Sequence, residues 1–224
     1  MQFFLFLKKL LKIKIKFIPP KKNKILLYDN ACVTSKNAQI FFRDKEFSIY
    51  YNRFEEINLY ILLISILSPK YLQLKKNYKY HFLKRVSPKL VYTCVDNNIS
   101  FYLLKDIYPE ATYVADQVSM RDETFYNQCL SAIKKKNLDL KCDFFFVYGN
   151  FQKQRIEKII KCKVLIAGDS KNNHYNIPEN KKKPKKRITY ISSKIRTRTS
   201  IETQILKNLI IFCKKYRYKL FFLD

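Results

Sequence analysis

The stretch Ser87–Gln117, "SPKLVYTCVDNNISFYLLKDIYPEATYVADQ", decides the fold class. Leu90–Val95 is a short apolar run that ends in the turn formers Asp96-Asn97-Asn98, and it reads as a strand. Ile99–Ile107 then has the spacing of a helix with Asn98 as its cap. Ala111–Ala115 is the next strand. Strands separated by one short helix imply βαβ crossovers and a parallel sheet covered on both faces. The apolar runs are nearly continuous rather than strictly alternating, as suits strands buried on both sides.

The same alternation extends outward. Upstream, residues 24–28 and 47–51 are candidate strands. The run INLYILLISIL, residues 57–67, is apolar nearly all round and predicts a buried helix, and 74–86 is a basic, aromatic helix. Downstream come a helix near 124–136, a strand 143–148 stopping at Gly149, a helix 152–160 and a strand 163–167 stopping at Gly168. After a lysine-rich stretch with Pro178 and Pro184, the strand 187–191, helix 201–216 and strand 220–223 follow. Thr199 and Glu202 have capping-box spacing, and Ile205, Leu206, Leu209, Ile210 and Cys213 mark one apolar stripe. The expected fold is α/β: a Rossmann-like parallel sheet domain plus the first βαβ unit of a second Rossmann-like domain. The domain reading is a basic amphipathic segment 1–22, a first domain 23–175, a basic linker 176–186 and an incomplete second domain 187–224.

The charge is lopsided, with 45 Lys+Arg against 18 Asp+Glu and a formal +27. That favours nucleic acid, anionic membrane surfaces or phosphate ligands. A general drift of composition spread over solvated faces accounts for much of the same charge. The six cysteines include no C-x-x-C pair and only His81 and His174 stand beside them, so no metal site is expected and the cysteines read as small buried hydrophobes in a reducing cytoplasm. In the N-terminal MQFFLFLKKLLKIKIKF the uninterrupted apolar run stops at Leu7, too short to span a membrane. Its interleaved lysines suit peripheral contact with an anionic membrane, or a basic first strand.

No G-x-G-x-x-G and no G-x-x-x-x-G-K-[ST] is present, so neither a dinucleotide fingerprint nor a P-loop is available. Ligands of open α/β sheets bind outside the carboxyl ends of the strands. The expected ligand-side residues are therefore Asp96 and Asn97, Gln117, Gly149, and Gly168 with Ser170, Asn172 and Asn173. Ser192, Ser193 and Arg196 occupy the corresponding place in the second domain. Asp96 and Asp169 are the candidates for a catalytic base or a sugar-hydroxyl ligand; the bland alternatives are a helix cap for Asp96 and an Asx-turn for Asp169.

The order of motifs resembles the bacterial surface-carbohydrate biosynthesis proteins, GT-B-like relatives of polysaccharide glycosyltransferases and glycerophosphotransferases. The resemblance is carried by NKILLYDN, EEINLYILLISIL, SPKLVYTCVDNNISFYLLKDIYP, DFFFVYG, CKVLIAGDSKNN and RITYISS, over roughly residues 23–223. It implies two Rossmann-like domains, an acceptor-holding first one and a second that binds a nucleotide-sugar donor as substrate, with no cofactor and no bound metal. The partners so implied are a nucleotide-sugar and a glycan or lipid-linked acceptor at the inner face of the membrane. Departures are Asp116-Gln117-Val118 where a Gln-Asn-Gly-like turn is expected, and Ile191-Ser192-Ser193 where the family tends to Ile-Ser-Gln. The sequence ends at Asp224 with most of such a donor domain absent, which leaves three readings: a truncated reading frame, a protein whose other half is a separate chain, or a degenerate relative not expected to catalyse alone. The competing readings are a nucleic-acid-binding basic α/β module, suggested by +27 with 17 tyrosines and 18 phenylalanines, and a non-catalytic partner subunit of a transferase.

Overall fold

The computed structural model describes residues 13–53, 55–169, 186–191 and 199–223. The chain divides into two compact units, Met1–Tyr175 and Asn176–Asp224. In the first, the elements in chain order are β1 (Lys14–Lys16), β2 (Ile25–Tyr28), α1 (Ala31–Thr34), α2 (Lys36–Phe42), β3 (Ser48–Tyr50), β4 (Glu56–Asn58) and α3 (Leu59–Leu67). They continue with α4 (Leu74–Val86), β5 (Leu90–Thr93), α5 (Leu104–Ile107), β6 (Thr112–Asp116), α6 (Glu123–Lys136), β7 (Lys141–Val147), α7 (Asn150–Ile156) and β8 (Lys161–Ile166).

Six strands form one parallel sheet in the order β3-β2-β5-β6-β7-β8. Alternate residues of each strand feed opposite faces, and both faces are buried. Leu26, Tyr28, Val91, Tyr113 and Phe145 belong to the larger core, whereas Leu27 and Tyr92 join Cys32, Phe42 and Cys94 in a smaller one. From β2 the chain goes to β3 on one side and then returns to β5 on the other. This reversal is a switch point, where the connections diverge and leave a crevice at the carboxyl ends of β2 and β5.

The short strands β1 and β4 form a separate parallel pair, tied by Lys16 to Glu56 at 2.9 Å. Asn58 joins this pair to the next helix. Its amide donates to the Ile18 carbonyl at 2.7 Å, and its Oδ1 accepts from the Ile61 N–H at 3.1 Å as the N-cap of α3.

Three local expectations are corrected. The apolar run 57–67 is not a buried helix throughout: it opens as strand β4, and in α3 only Ile61 and Ser65 are buried while Leu63, Ile66 and Leu67 are exposed, Leu67 to 82%. The buried face meets α4, where Asn77 donates to the Ser65 carbonyl, and α3 also touches β1. Residues 98–103 are successive turns rather than the start of a helix. Asn98 Oδ1 takes both the N–H and the hydroxyl of Ser100, at 3.1 and 2.7 Å, and this local bonding competes with helix propagation until Leu104. The third concerns the second unit, which contains β9 (Arg187–Ile191), α8 (Thr199–Tyr216) and β10 (Lys219–Leu223), with β9 and β10 parallel. Helix α8 begins at Thr199, so that residue lies within the first turn rather than capping it. Cys213 is buried, but Ile205 and Ile210 are exposed, and the packed stripe is narrower than the periodicity implied.

Candidate functional site

The crevice at the switch point is an open cleft of about 600 Å³ between the carboxyl ends of β2, β5 and β6. Its polar lining is Thr34, Ser35, Asn97, Ser119 and Arg121, and Ala31, Val95 and Val118 supply apolar wall. Each enters from a strand end. The β2 end is a tight turn in which Asp29 adopts φ +102°, a region that side chains other than glycine's seldom occupy. Asp29 is fixed there by the Ala31 N–H at 2.9 Å and by Arg53 at 3.1 Å. The turn delivers α1 and its terminal Thr34-Ser35 to the cleft.

Asp96, at the end of β5, is fully enclosed, with 0% exposure. Its carboxylate accepts two bonds from the Arg121 guanidinium, Nε to Oδ2 at 2.7 Å and Nη2 to Oδ1, and Tyr102 donates to its carbonyl at 2.5 Å. Burial pushes the carboxyl above its ordinary value, and the Arg121 bonds pull it back. For Arg121, burial opposes the charge but bonding to Asp96 raises its pKa overall. Asp96 therefore aims Arg121, and the cleft wall presents the guanidinium. The N–H groups not engaged by Asp96 are the donors with which Arg121 can meet a ligand. Because the pair is internally neutral, the cleft offers directional hydrogen bonds with little net charge.

Gln117 is buried and stitches the neighbouring strand ends together. Its Oε1 accepts from the Tyr148 N–H at 3.1 Å, and its Nε2 donates to the Ser119 carbonyl at 3.0 Å. Asp116 accepts the Tyr92 hydroxyl at 2.8 Å. Tyr148 lies within electrostatic reach of Asp169, Asp96, Asp116 and Arg121; burial first, and these carboxylates second, raise its hydroxyl to about 12. At the cleft floor the Cys94 thiol donates to the Cys32 sulfur at 3.3 Å. The bond with Cys94, and then burial, raise the Cys32 pKa.

Of the residues expected from sequence, Asn97 lines the cleft, Asp96 lies beneath it and Gln117 braces its rim. Gly149, Gly168 and Asp169 lie beyond it at the ends of β7 and β8. Gly149 is extended at φ −170° and caps α7, whereas Gly168 has φ +68°. Ser170, Asn172, Asn173, Ser192, Ser193 and Arg196 lie outside the described residues. Thr34, Ser35, Cys94, Ser119 and Arg121 were not foreseen; they are brought in from connections that carry no motif. Among the described residues no group of three or more His, Cys, Asp or Glu gathers as a metal site, and no helix is long and apolar enough to cross a membrane.

Comparison with known proteins adds no identity: no family model, no curated protein and no solved structure matches the chain.

Proposed function

We propose that the first unit is the acceptor-side domain of a GT-B-like glycosyltransferase of surface-polysaccharide biosynthesis, with sugar transferred from a nucleotide-activated donor. The observation that carries this reading is the switch-point cleft itself. Its one guanidinium is neutralised by Asp96, and around it stand two serines, a threonine and an asparagine. Such a lining matches the hydroxyl groups of a saccharide better than the charge of a nucleotide diphosphate, which needs concentrated positive donors. In this reading the donor binds to the second unit.

The acceptor is glycan or lipid-linked, and the unit works against the cytoplasmic face of an anionic membrane. Support comes from the exposed Leu63, Ile66 and Leu67 of α3 and from exposed Ile15, Phe17 and Ile18 around β1, which lies beside lysine-rich sequence. Against a nucleic-acid module, many of the aromatic side chains, among them Tyr28, Phe101, Tyr102, Tyr113 and Phe145, are core residues and unavailable for base stacking.

The test is saturation-transfer NMR of the full chain with a panel of mono- and disaccharides, beside its Asn97→Ala and Ser119→Ala variants. Saccharide signals that weaken in both variants support the reading. Equal signals in all three proteins, or none at all, would remove it.

A further inference from the structure

A second cavity, of about 930 Å³, opens where the start of α4 meets α5 and the turn before β7. Four lysines line it, Lys70, Lys75, Lys76 and Lys79, with two acids, Asp106 and Asp139. The acids are already engaged: Lys141 binds Asp106 at 3.0 Å and Asp139 at 2.8 Å, and Lys161 binds Asp139 at 3.0 Å. Lys70, Lys76 and Lys79 make no ion pair with a described residue. Lys70 lies over the Tyr80 ring at 4.1 Å and Lys76 over the Tyr71 ring at 4.4 Å.

Lys79 is the unusual member. It is 5% exposed and lies on the packed stripe of α4 with Phe82, Leu83 and Val86. Its Nζ donates to the Tyr28 hydroxyl at 3.0 Å, and it makes no ion pair with a described residue. The Tyr28 hydroxyl itself donates to Asn52 Oδ1 at 2.7 Å and lies 2.8 Å from Ser100 Oγ, so the contacts of Lys79 are neutral. Burial, and then the neighbouring Lys75, pull its pKa down to about 7. A buried ammonium without a counter-ion is costly, and an anion entering the cavity would remove that cost.

We propose that this cavity binds a phosphate-bearing ligand whose oxygens engage Lys79 and its neighbours Lys75 and Lys76. Several ammonium groups around one space suit a multiply charged, many-oxygen anion better than a single carboxylate. The volume exceeds what phosphate needs, and Tyr71, Leu103, Ile107 and Leu138 form an apolar wall for an organic remainder. No residue of this cavity belongs to the switch-point cleft, and the site does not depend on what that cleft binds. Phosphate of this kind comes either from a soluble phosphorylated metabolite or from a phospholipid headgroup.

Calorimetric titration of the full chain with inorganic pyrophosphate tests the site, beside co-sedimentation with phosphatidylcholine vesicles containing phosphatidic acid. The variants are Lys79→Met, the surface pair Lys75→Met with Lys76→Met, and Lys45→Met as a control that removes one remote charge. Loss of one charge-assisted bond predicts about tenfold weaker pyrophosphate binding in Lys79→Met. The surface pair should weaken it too and Lys45→Met should leave it unchanged. Binding to vesicles alone, weakened by Lys79→Met and not by Lys45→Met, sustains the site and assigns its phosphate to a lipid. Equal weakening by Lys45→Met, or no binding to either probe, overturns it. If Lys79→Met fails to fold, the surface pair against Lys45→Met decides by the same criteria.

Discussion

The switch-point cleft and the lysine cavity both place a charged side chain inside one apolar unit, and they treat it in opposite ways. At the cleft, Asp96 and Arg121 meet in a bidentate pair, and desolvation of each is offset by the other. In the cavity, Lys79 is buried against a tyrosine hydroxyl with no acid beside it. A satisfied pair fixes geometry, whereas an unsatisfied charge leaves binding energy for something else to supply. The first region is thus suited to orienting a ligand, and the second to being completed by one.

The largest effect should come from breaking the pair. Arg121→Met leaves a fully buried carboxylate alone and should cost roughly 3–5 kcal/mol in urea denaturation. Replacing both residues, Arg121→Met with Asp96→Leu, should cost much less. Asp96 already has a raised carboxyl pKa, and losing Arg121 raises it further. A raised carboxyl gives stability that is present below its unfolded value and lost as pH climbs through the folded one. The Arg121→Met deficit should therefore be smaller at pH 5 than at pH 8. A deficit that is equal in the double variant, or insensitive to pH, would break the contrast.

Lys79→Met should do the reverse and stabilise, on the order of 2–3 kcal/mol after its lost tyrosine bond and packing are discounted. Here the folded pKa, about 7, lies below the unfolded value of 10.5. Between those values the unfolded chain binds more protons, so wild-type stability rises with pH. The advantage of Lys79→Met should be full below pH 7 and shrink towards pH 10. Denaturation curves at pH 6.5 and 9.5 check it, and a destabilised variant at both values would contradict the burial argument.

Much of this architecture is legible in the sequence because parallel strands buried on both faces leave continuous apolar runs. Leu90–Thr93, Thr112–Asp116 and Lys141–Val147 all fall close to where such runs are. The failures come from competition that periodicity does not register. Asn98 bonds locally and delays a helix, and α3 buries only Ile61 and Ser65. At the site, Asp96 is marked by its turn, but Arg121 lies 25 residues away in a loop without a pattern. Cys32 and Cys94 meet across 62 residues, which no local reading reveals. Lys79 did leave a signal. Counting back one heptad from Val86 along the stripe of Phe82 and Leu83 lands on a lysine where an apolar residue is due.

Two smaller effects sharpen the picture at the sheet edge. Gly168→Ala forces a side chain into φ +68° and should cost about 1 kcal/mol by thermal denaturation. At Gly149, extended at φ −170°, a Cβ meets only Gln152 Oε1 at 3.7 Å; alanine should cost on the order of 0.5 kcal/mol, the difference expected at a helix N-cap. Smallest of all, Asn97→Ala at the exposed cleft wall should change stability by less than about 0.5 kcal/mol, so that any lost binding is lost contact.

The central claim is that the neutral, hydroxyl-lined cleft takes a saccharide. Amide and guanidinium NMR shifts of the full chain titrated with mono- and disaccharides test it most directly. The account predicts shifts grouped on Thr34, Ser35, Asn97, Ser119 and the Arg121 Nε–H, with the Lys79 cavity unmoved. Shifts confined to other surfaces, or none with any saccharide, would contradict it.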